Sequence, residues 1–450
     1  MYEDYEKILT KFADDPDQRR IEGYERSGGY RAWKKVINEM TPDQVTEEVK
    51  KSGLRGRGGA GFPTGQKWSF VPKNTGKPTY LCCNADESEP GTFKDRVIIE
   101  KDPHQLIEGV AIAAYAIRCE QAFIYIRGEF YYGAQLLDIC IRQARAKKYL
   151  GTNIFGKGVN VNINVFRGAG AYICGEETGL MESLEGKRGQ PRLKPPFPAV
   201  VGLFGCPTVI NNVETLANLP HIINRGADWY TQIGPKNNFG PKLFCMSGHL
   251  NKPGTYEYPM GIPLSQLISI AGGVPAGRTV KGVIPGGSSV PVLLPKDIDT
   301  PMDFDSLVKV GSMLGSAGVV VMDDTTCMVR MAMITARFYE HESCGQCTQC
   351  REGTAWLYNI LHRIEYGEGR MQDLDTLLNV CENMKGRTIC VLSDAAAMPV
   401  EGFIKNYRSE FEQHVTGKVC PFKAIPALVY GLTAKYAKTA KREIGYALRS

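Results

Sequence analysis

The sequence lacks any apolar run near the roughly 20 residues that a membrane-crossing helix requires. Its best stretches, residues 110–117 and 318–322, have the length of a core helix or strand. The opening residues, MYEDYEKILTKFADD, have neither the apolar stretch of a secretory signal nor the Arg-rich, acid-poor look of a transit peptide. The expectation is a cytoplasmic protein that meets a membrane only through its partners. Histidine is scarce: the six residues are dispersed, and none stands in an H-E-x-x-H or nucleophile-pair setting. Most are expected to be satisfied structural histidines. The net charge of +6 is spread among acids, without a basic stripe interleaved with aromatics, which argues against nucleic acid as a partner. The one basic concentration is the tail KYAKTAKREIGYALRS, residues 435–450, read as a solvated helix face. There is no internal repeat and no low-complexity tract.

What is present is a chain of 450 residues with ordinary globular composition, 43% hydrophobic and 23% charged. At roughly 100–200 residues per domain, that length predicts two or three domains. Residues 30–54 read as amphipathic helix, with TPDQVTEEVKKSGL opening on a Thr41 cap and Pro42 and closing at Gly53. Beyond it, YLCCNADE, AFIYIRGE and VNVNINVFRG read as strands. Residues 103–117 and GAQLLDICIRQARAK have helical periodicity. The alternation predicts an α/β layer domain over residues 1–238. KLFCMSG and GTYEYP, then IPLSQLISIAGG, then VKGVIPGGSSVPVLL outline strand pair, helix and strand, a small β-grasp (ubiquitin-like) domain over 239–327. From Met328 the apolar spacing is helical throughout, about four helices, hence a bundle over 328–450.

Fourteen cysteines are present, mostly in apolar contexts where they read as small buried hydrophobes, and a reducing compartment discounts disulfides. Only ESCGQCTQCREG has ligand spacing, placing Cys344, Cys347 and Cys350 at C-x-x-C-x-x-C. Structural zinc sites usually pair two C-x-x-C knuckles, and no second knuckle exists here. Three thiolates at this spacing instead wrap three corners of a cubic iron–sulfur cluster, with a fourth ligand arriving from elsewhere. Cys381, Cys390 and Cys420 compete for that corner. Cys420 precedes Pro421, as in the ending of ferredoxin runs, but at far too long an interval, and Cys381 lies on an apolar helix face. Cys390 follows the helix-ending Gly386 in a predicted inter-helix loop, so the pattern favours it.

Gly56, Gly58 and Gly61 satisfy G-x-G-x-x-G, but a helix precedes them where a plain dinucleotide-binding fold has a strand. The loop RGRGGAGFPTG is still suited to cradle a phosphate, because its backbone N–H groups can converge without side-chain obstruction, with Arg55, Arg57 and Lys67 nearby. A second glycine-rich stretch, RGAGAYICGEETGLMESLEGKRGQPRLKPPFP, carries Glu176 and Glu177. Consecutive helical residues point about 100° apart, so these two suit ribose hydroxyls better than a paired acid–base dyad.

With the glycine loop, NADESEPGT, GAGAYICGEETGLMESLEGKRGQPR, PTVINNVETL and ESCGQCTQCREG in this order, the chain resembles the NADH-binding flavoprotein subunit of respiratory Complex I from about Arg31 to Glu412. The resemblance implies FMN, one 4Fe-4S cluster and NADH as cofactors and substrate, with hydride passing to the flavin and electrons leaving singly for the cluster and on toward quinone. For FMN it implies Gly56, Arg57, Gly58, Gly59 and Lys67, then Asn84, Asp86 and Glu87, then Tyr172, Gly175 and Glu176, and finally Asn211, Asn212 and Thr215. For NADH it implies Phe62, Phe70 and Phe197 as stacking surfaces, Glu89 and Glu177 near the ribose and nicotinamide, with Glu89 the catalytic-site residue of the NADH cavity, Lys194 near the dinucleotide, and Gly59 and Lys67 as further contacts. It also implies Cys390 as the fourth ligand beside Cys344, Cys347 and Cys350. The implied partners are a thioredoxin-like 2Fe-2S subunit and the large iron–sulfur subunit of the peripheral arm, on the inner face of the energy-transducing membrane. Two other readings stand beside it. One is a diaphorase subunit of an NAD-linked hydrogenase or formate dehydrogenase, and the other is a non-catalytic iron–sulfur scaffold.

Overall fold

A computed structural model describes residues 5–422; the basic tail at 435–450 lies outside them. The amphipathic stretch at 30–54 is two helices, Arg31–Glu39 and Pro42–Lys51, the second opening on the expected Thr41 cap. The break has a local cause. The Thr41 hydroxyl accepts from the Gln44 N–H and the Gln44 side chain accepts from the Thr41 N–H, a reciprocal cap that starts a new helix at Pro42. That helix ends into Gly53 at φ +63°.

Five strands form the first sheet: β1 (Tyr80–Ala85), β2 (Gln121–Ile126), β3 (Gly151–Ile154), β4 (Val159–Arg167) and β5 (Thr208–Asn212), in the order β3-β4-β2-β1-β5. All pairs are parallel except β3–β4. From β1 the chain steps to β2 on one side, and β5 is added on the other, so the order reverses between β1 and β5. Open parallel sheets bind ligands outside the strands' carboxyl ends at such a reversal. Here those ends are Asn84 and Asn212, aligned in register. The helix Pro103–Ala116 is buried almost all round, with its Leu106, Ile107 and Val110 in the core beneath the sheet.

A second sheet, in the order β7-β6-β9-β8, is built from β6 (Pro241–Gly248), β7 (Gly254–Pro259), β8 (Val280–Ile284) and β9 (Gly318–Asp323). It packs Phe244, Met246 and Val319 against Leu264 and Leu267 of the helix Leu264–Ile270. Four helices follow: Met328–Glu342, Thr348–Glu365, Gln372–Met384 and Leu392–Gly417. Their core is continuous with Cys82, Tyr125 and Ile173 of the first domain, so the helical region is docked on the sheet. No described helix is long and apolar enough to cross a membrane.

Candidate functional site

The glycine loop is pinned at its base, where the Gly56 N–H donates to the Phe62 carbonyl at 2.9 Å and the Thr64 N–H to that of Leu54 at 2.8 Å. Two positions demand glycine. A Cβ on Gly58 would lie 3.0 Å from the Cβ of Asn212, and Gly61, at φ +65°, would drive one to 2.7 Å from the Phe304 ring. The loop thereby lies close against the end of β5. Gly58, Gly59, Asn84, Asp86, Glu87, Glu89, Tyr172, Gly175, Glu176 and Asn212 line one cleft of about 570 Å³. That volume is in the range of cofactor sites.

Polar groups in the cleft are held by specific partners. Glu87 accepts from the N–H groups of Lys94, Asp95 and Arg96, and so caps the helix Asp95–Lys101. The Lys94 ammonium is buried 2.7 Å from Asp95 and 2.8 Å from Glu214, and it also donates to Asn212 at 3.1 Å. Burial alone would lower its pKa, but the Asp95, Glu214 and Glu87 carboxylates outweigh that and hold it protonated. The Glu89 carboxylate accepts from the Tyr172 hydroxyl at 2.6 Å and from the Ser289 N–H at 2.9 Å, and burial raises its pKa. Burial pushes Asp86 up to about 7, and its Oδ2 is buried without a partner among the described residues. An orphaned oxygen in a cleft wall marks where a ligand's donor would sit.

The remaining predicted residues lie around the cleft, outside its lining. The Arg57 guanidinium turns inward to the Tyr230 hydroxyl at 3.2 Å and the Phe239 carbonyl at 2.6 Å, and the Arg57 backbone N–H donates to Thr215 Oγ1 at 2.8 Å. Both residues tie down the loop from behind. Asn211 accepts from the Trp68 indole at 2.8 Å. Lys67 and Lys194 bracket Glu177 at 3.0 and 3.2 Å, and Lys194 also reaches Glu176 at 3.1 Å. Burial would raise the Glu177 pKa, but the two ammonium groups bring it below the ordinary value. Phe62 and Phe70 meet at 6.1 Å between ring centroids, and both are half exposed, as is Phe197.

Cys344, Cys347, Cys350 and Cys390 surround a single small pocket. Cys344 and Cys347 come from the turn between the helices Met328–Glu342 and Thr348–Glu365, Cys350 from the first turn of the latter, and Cys390 from the loop before Leu392. Cys381 and Cys420 are not in its lining. Burial pushes the free Cys390 thiol up to about 12 and raises that of Cys350. Ile173, Cys390 and Leu392 line both this pocket and the larger cleft, so the two share a wall. Tyr172 ties them further, its N–H donating to Glu342 at 3.0 Å and its ring meeting Phe338 and Tyr339 edge-on.

Several cleft residues have no local signature in the sequence. Lys94 and Asp95 read as an ordinary helix start. Gly286, Ser289 and Ser316 arrive from the second sheet and Asp394, Ala395 and Met398 from the last helix. The one available signal was PGGSS, whose glycines suit close approach: a Cβ on Gly287 would lie 2.5 Å from the Glu89 Cγ.

Comparison with known proteins agrees with this geometry. Residues 49–221 match the family described as the Nuo51 FMN-binding domain, 242–321 an SLBB domain, and 330–414 the NADH-ubiquinone oxidoreductase-F iron-sulfur binding region. The second F-type subunit of the NADH-quinone oxidoreductase of Rhizobium meliloti is 57% identical over 419 residues, covering 93% of this chain and 100% of the relative. The F-type subunit of the Streptomyces coelicolor NADH-quinone oxidoreductase is 50% identical, covering 92% of each chain. A solved NAD+-reducing NiFe hydrogenase in its H2-reduced state superposes with a TM-score of 0.80 at 35% identity, over 96% of this chain and 70% of that one.

Proposed function

This chain belongs to the family of F-type subunits of NADH-quinone oxidoreductase, and we propose on that footing how its residues serve an FMN-dependent NADH dehydrogenase of the Complex I type. It takes hydride from NADH onto FMN and passes electrons one at a time to a 4Fe-4S cluster, on the way to quinone. The observation that carries this reading is the wall of Ile173, Cys390 and Leu392 shared by the cleft and the cysteine pocket. A flavin accepts an electron pair and releases single electrons, and an iron–sulfur cluster accepts them singly.

The residues of the cleft fit a flavin mononucleotide. Gly58 and Gly59 offer unobstructed backbone, Asn84 and Asn212 stand at the strand ends, and the unpartnered Asp86 oxygen awaits a donor. Phe62, Phe70 and Phe197 are open for a transient stacking partner, with Lys67, Glu177 and Lys194 beside the nicotinamide nucleotide. Cys344, Cys347, Cys350 and Cys390 hold the cluster. Glu89 sets nucleotide choice, since a carboxylate there repels the additional phosphate of NADPH. Glu89→Gln is expected to raise the NADPH-to-NADH activity ratio about tenfold, equivalent to about 1.4 kcal/mol. An unchanged ratio removes Glu89 from that role.

The finer architecture follows the same reading: an FMN- and NADH-binding domain to residue 238, a β-grasp domain over 239–327 and a four-helix bundle from 328. The strand pair, helix and returning strands support the second, and the four helices support the third. The partners are a thioredoxin-like 2Fe-2S subunit and the large iron–sulfur subunit, on the inner face of the plasma membrane. Val391, next to Cys390 and 73% exposed, supports a protein contact beside the cluster. A diaphorase subunit is the second reading, favoured by the solved hydrogenase, but 57% identity to the Rhizobium meliloti relative against 35% to the hydrogenase weighs for Complex I.

The test is a visible spectrum of the purified full chain with and without NADH under nitrogen. Flavin absorbance that bleaches with NADH, followed by the paramagnetic signal of a reduced cluster, is expected. Iron without flavin would point to a non-catalytic scaffold.

A further inference from the structure

Cys327, Glu365, His414 and Cys420 converge at the far end of the helical region from the cysteine pocket, their ligand atoms all within 4.8 Å of one another. Cys327 caps the helix Met328–Glu342, Glu365 ends Thr348–Glu365, His414 lies in the last turn of Leu392–Gly417, and Cys420 follows it. All four are buried, none more than 7% exposed. We propose that these four side chains form a second metal site, a closed structural Zn2+ site independent of the iron–sulfur cluster.

Three observations converge on it. The first is spacing: Cys327 Sγ lies 3.3 Å from His414 Nε2 and 3.4 Å from Glu365 Oε2, and those two are 3.5 Å apart. A tetrahedron with bonds of about 2.0–2.3 Å has edges of roughly 3.3–3.8 Å, the lengths zinc imposes on nitrogen, oxygen and sulfur ligands. The second is the ring of groups that orient the ligands. His414 Nδ1 is hydrogen-bonded to the Glu410 carbonyl at 2.8 Å, which places that ring proton and leaves Nε2 with its lone pair toward the other three. The Arg330 N–H donates to Cys327 Sγ at 3.3 Å, and its guanidinium donates to Glu365 Oε1 at 2.9 Å, leaving Oε2 for a metal. The third is charge. Two thiolates and a carboxylate, three negative charges, are balanced by a divalent ion and Arg330.

With four protein ligands the site has no open position, so its role is to clasp. It joins Cys327 to His414, 87 residues apart in sequence, and fixes three helix ends. Two of those helices supply the cysteine pocket. Cys420 thereby has a use that its Pro421 setting only mimicked.

The test is elemental analysis of the full chain, purified aerobically and dialysed against EDTA, with zinc K-edge absorption spectroscopy. We expect one zinc per chain in addition to the cluster iron, with two sulfurs at about 2.3 Å and two nitrogen or oxygen ligands at about 2.0–2.1 Å. Cys420→Ala and His414→Ala should each lose at least nine-tenths of that zinc while iron and flavin stay at parental levels. The proposal is overturned by zinc below a tenth per chain even after incubation with ZnCl2. A shell of four sulfurs, which would place the zinc in the other cysteine pocket, or unchanged zinc in both variants overturns it equally. Should the variants fail to fold, the absorption spectrum of the parent protein decides alone.

Discussion

Cys390→Ala protein is expected to keep its flavin and to reduce an artificial acceptor with NADH at the parental rate, while electron delivery to its iron–sulfur partners falls about 100-fold or more. The separation follows from the order of events, because hydride reaches the flavin before any iron is involved. The magnitude follows from coordination: loss of a group behind a metal ligand typically costs about 10–100-fold, and loss of the ligand itself costs at least that. Cys390 sits in a loop of its own, away from the segment 344–350 that carries Cys344, Cys347 and Cys350, so its removal opens one corner and leaves the other three thiols in place. Burial pushes its free thiol up to about 12, so ligation must displace a proton, and cluster rebuilding into the apo-protein should slow as pH falls. Cys420→Ala is the matched control, because Cys420 lies in the other group and its loss should leave the reduced-cluster signal intact. A normal 4Fe-4S signal in Cys390→Ala, or its loss in Cys420→Ala, would reverse the assignment. Parental flavin content and circular dichroism establish that the variant is folded.

Lys94→Met is expected to destabilise the protein by about 3–5 kcal/mol, the cost of leaving buried charge without its partner. Lys94 and Asp95 are 1% and 4% exposed, and Glu214, fully buried, is shared between Lys94 at 2.8 Å and Lys242 at 2.6 Å. Without the ammonium, Asp95 keeps only the Asn212 amide, at 2.6 Å, among side-chain donors. Glu87, which burial pushes up to about 7 and the Lys94 charge holds down, then rises further. The deficit is therefore full above the raised folded pKa and shrinks as pH falls through it toward the unfolded one, where protonation removes the unpaired charge. The thermal midpoint of Lys94→Met should thus approach the parental one at mildly acidic pH, and the double variant Lys94→Met, Asp95→Asn should lose less than Lys94→Met alone. A single variant within about 1 kcal/mol of the parent at neutral pH would mean that water screens the network.

Local chemistry was legible in the sequence, and long-range pairing was not. Thr41, Pro42 and Gly53 announced a helix start and stop because capping acts within a turn of chain, though Thr41 also ended the helix before it, which apolar periodicity alone did not reveal. Gly386 announced the loop that carries Cys390, and the structure brings that cysteine to the pocket of the other three. By contrast, the run at 318–322 could be helix or strand until β6 and β8 paired with it. Arg57 looked like loop charge, yet its guanidinium is spent on Tyr230 and Phe239, partners that only the folded chain supplies. Lys94 and Lys242 carry no motif, since a buried charge is identified by its neighbours. Cys327, Glu365 and His414 were each bland in isolation for the same reason, and Cys420 stood out only as a competitor for the cluster's fourth corner.

The cleft takes its glycine loop from the first seventh of the chain, Gly286 and Ser289 from the middle, and Met398 from near the end. Synthesis runs in the opposite sense to completion: the glycine loop leaves the ribosome early, and the closing wall is made last. A truncated or half-made chain therefore presents only part of the enclosure. A protein whose prosthetic group can hand electrons to dissolved oxygen gains a safeguard from this arrangement, because the reactive centre is enclosed only in chains whose onward wire has already been translated.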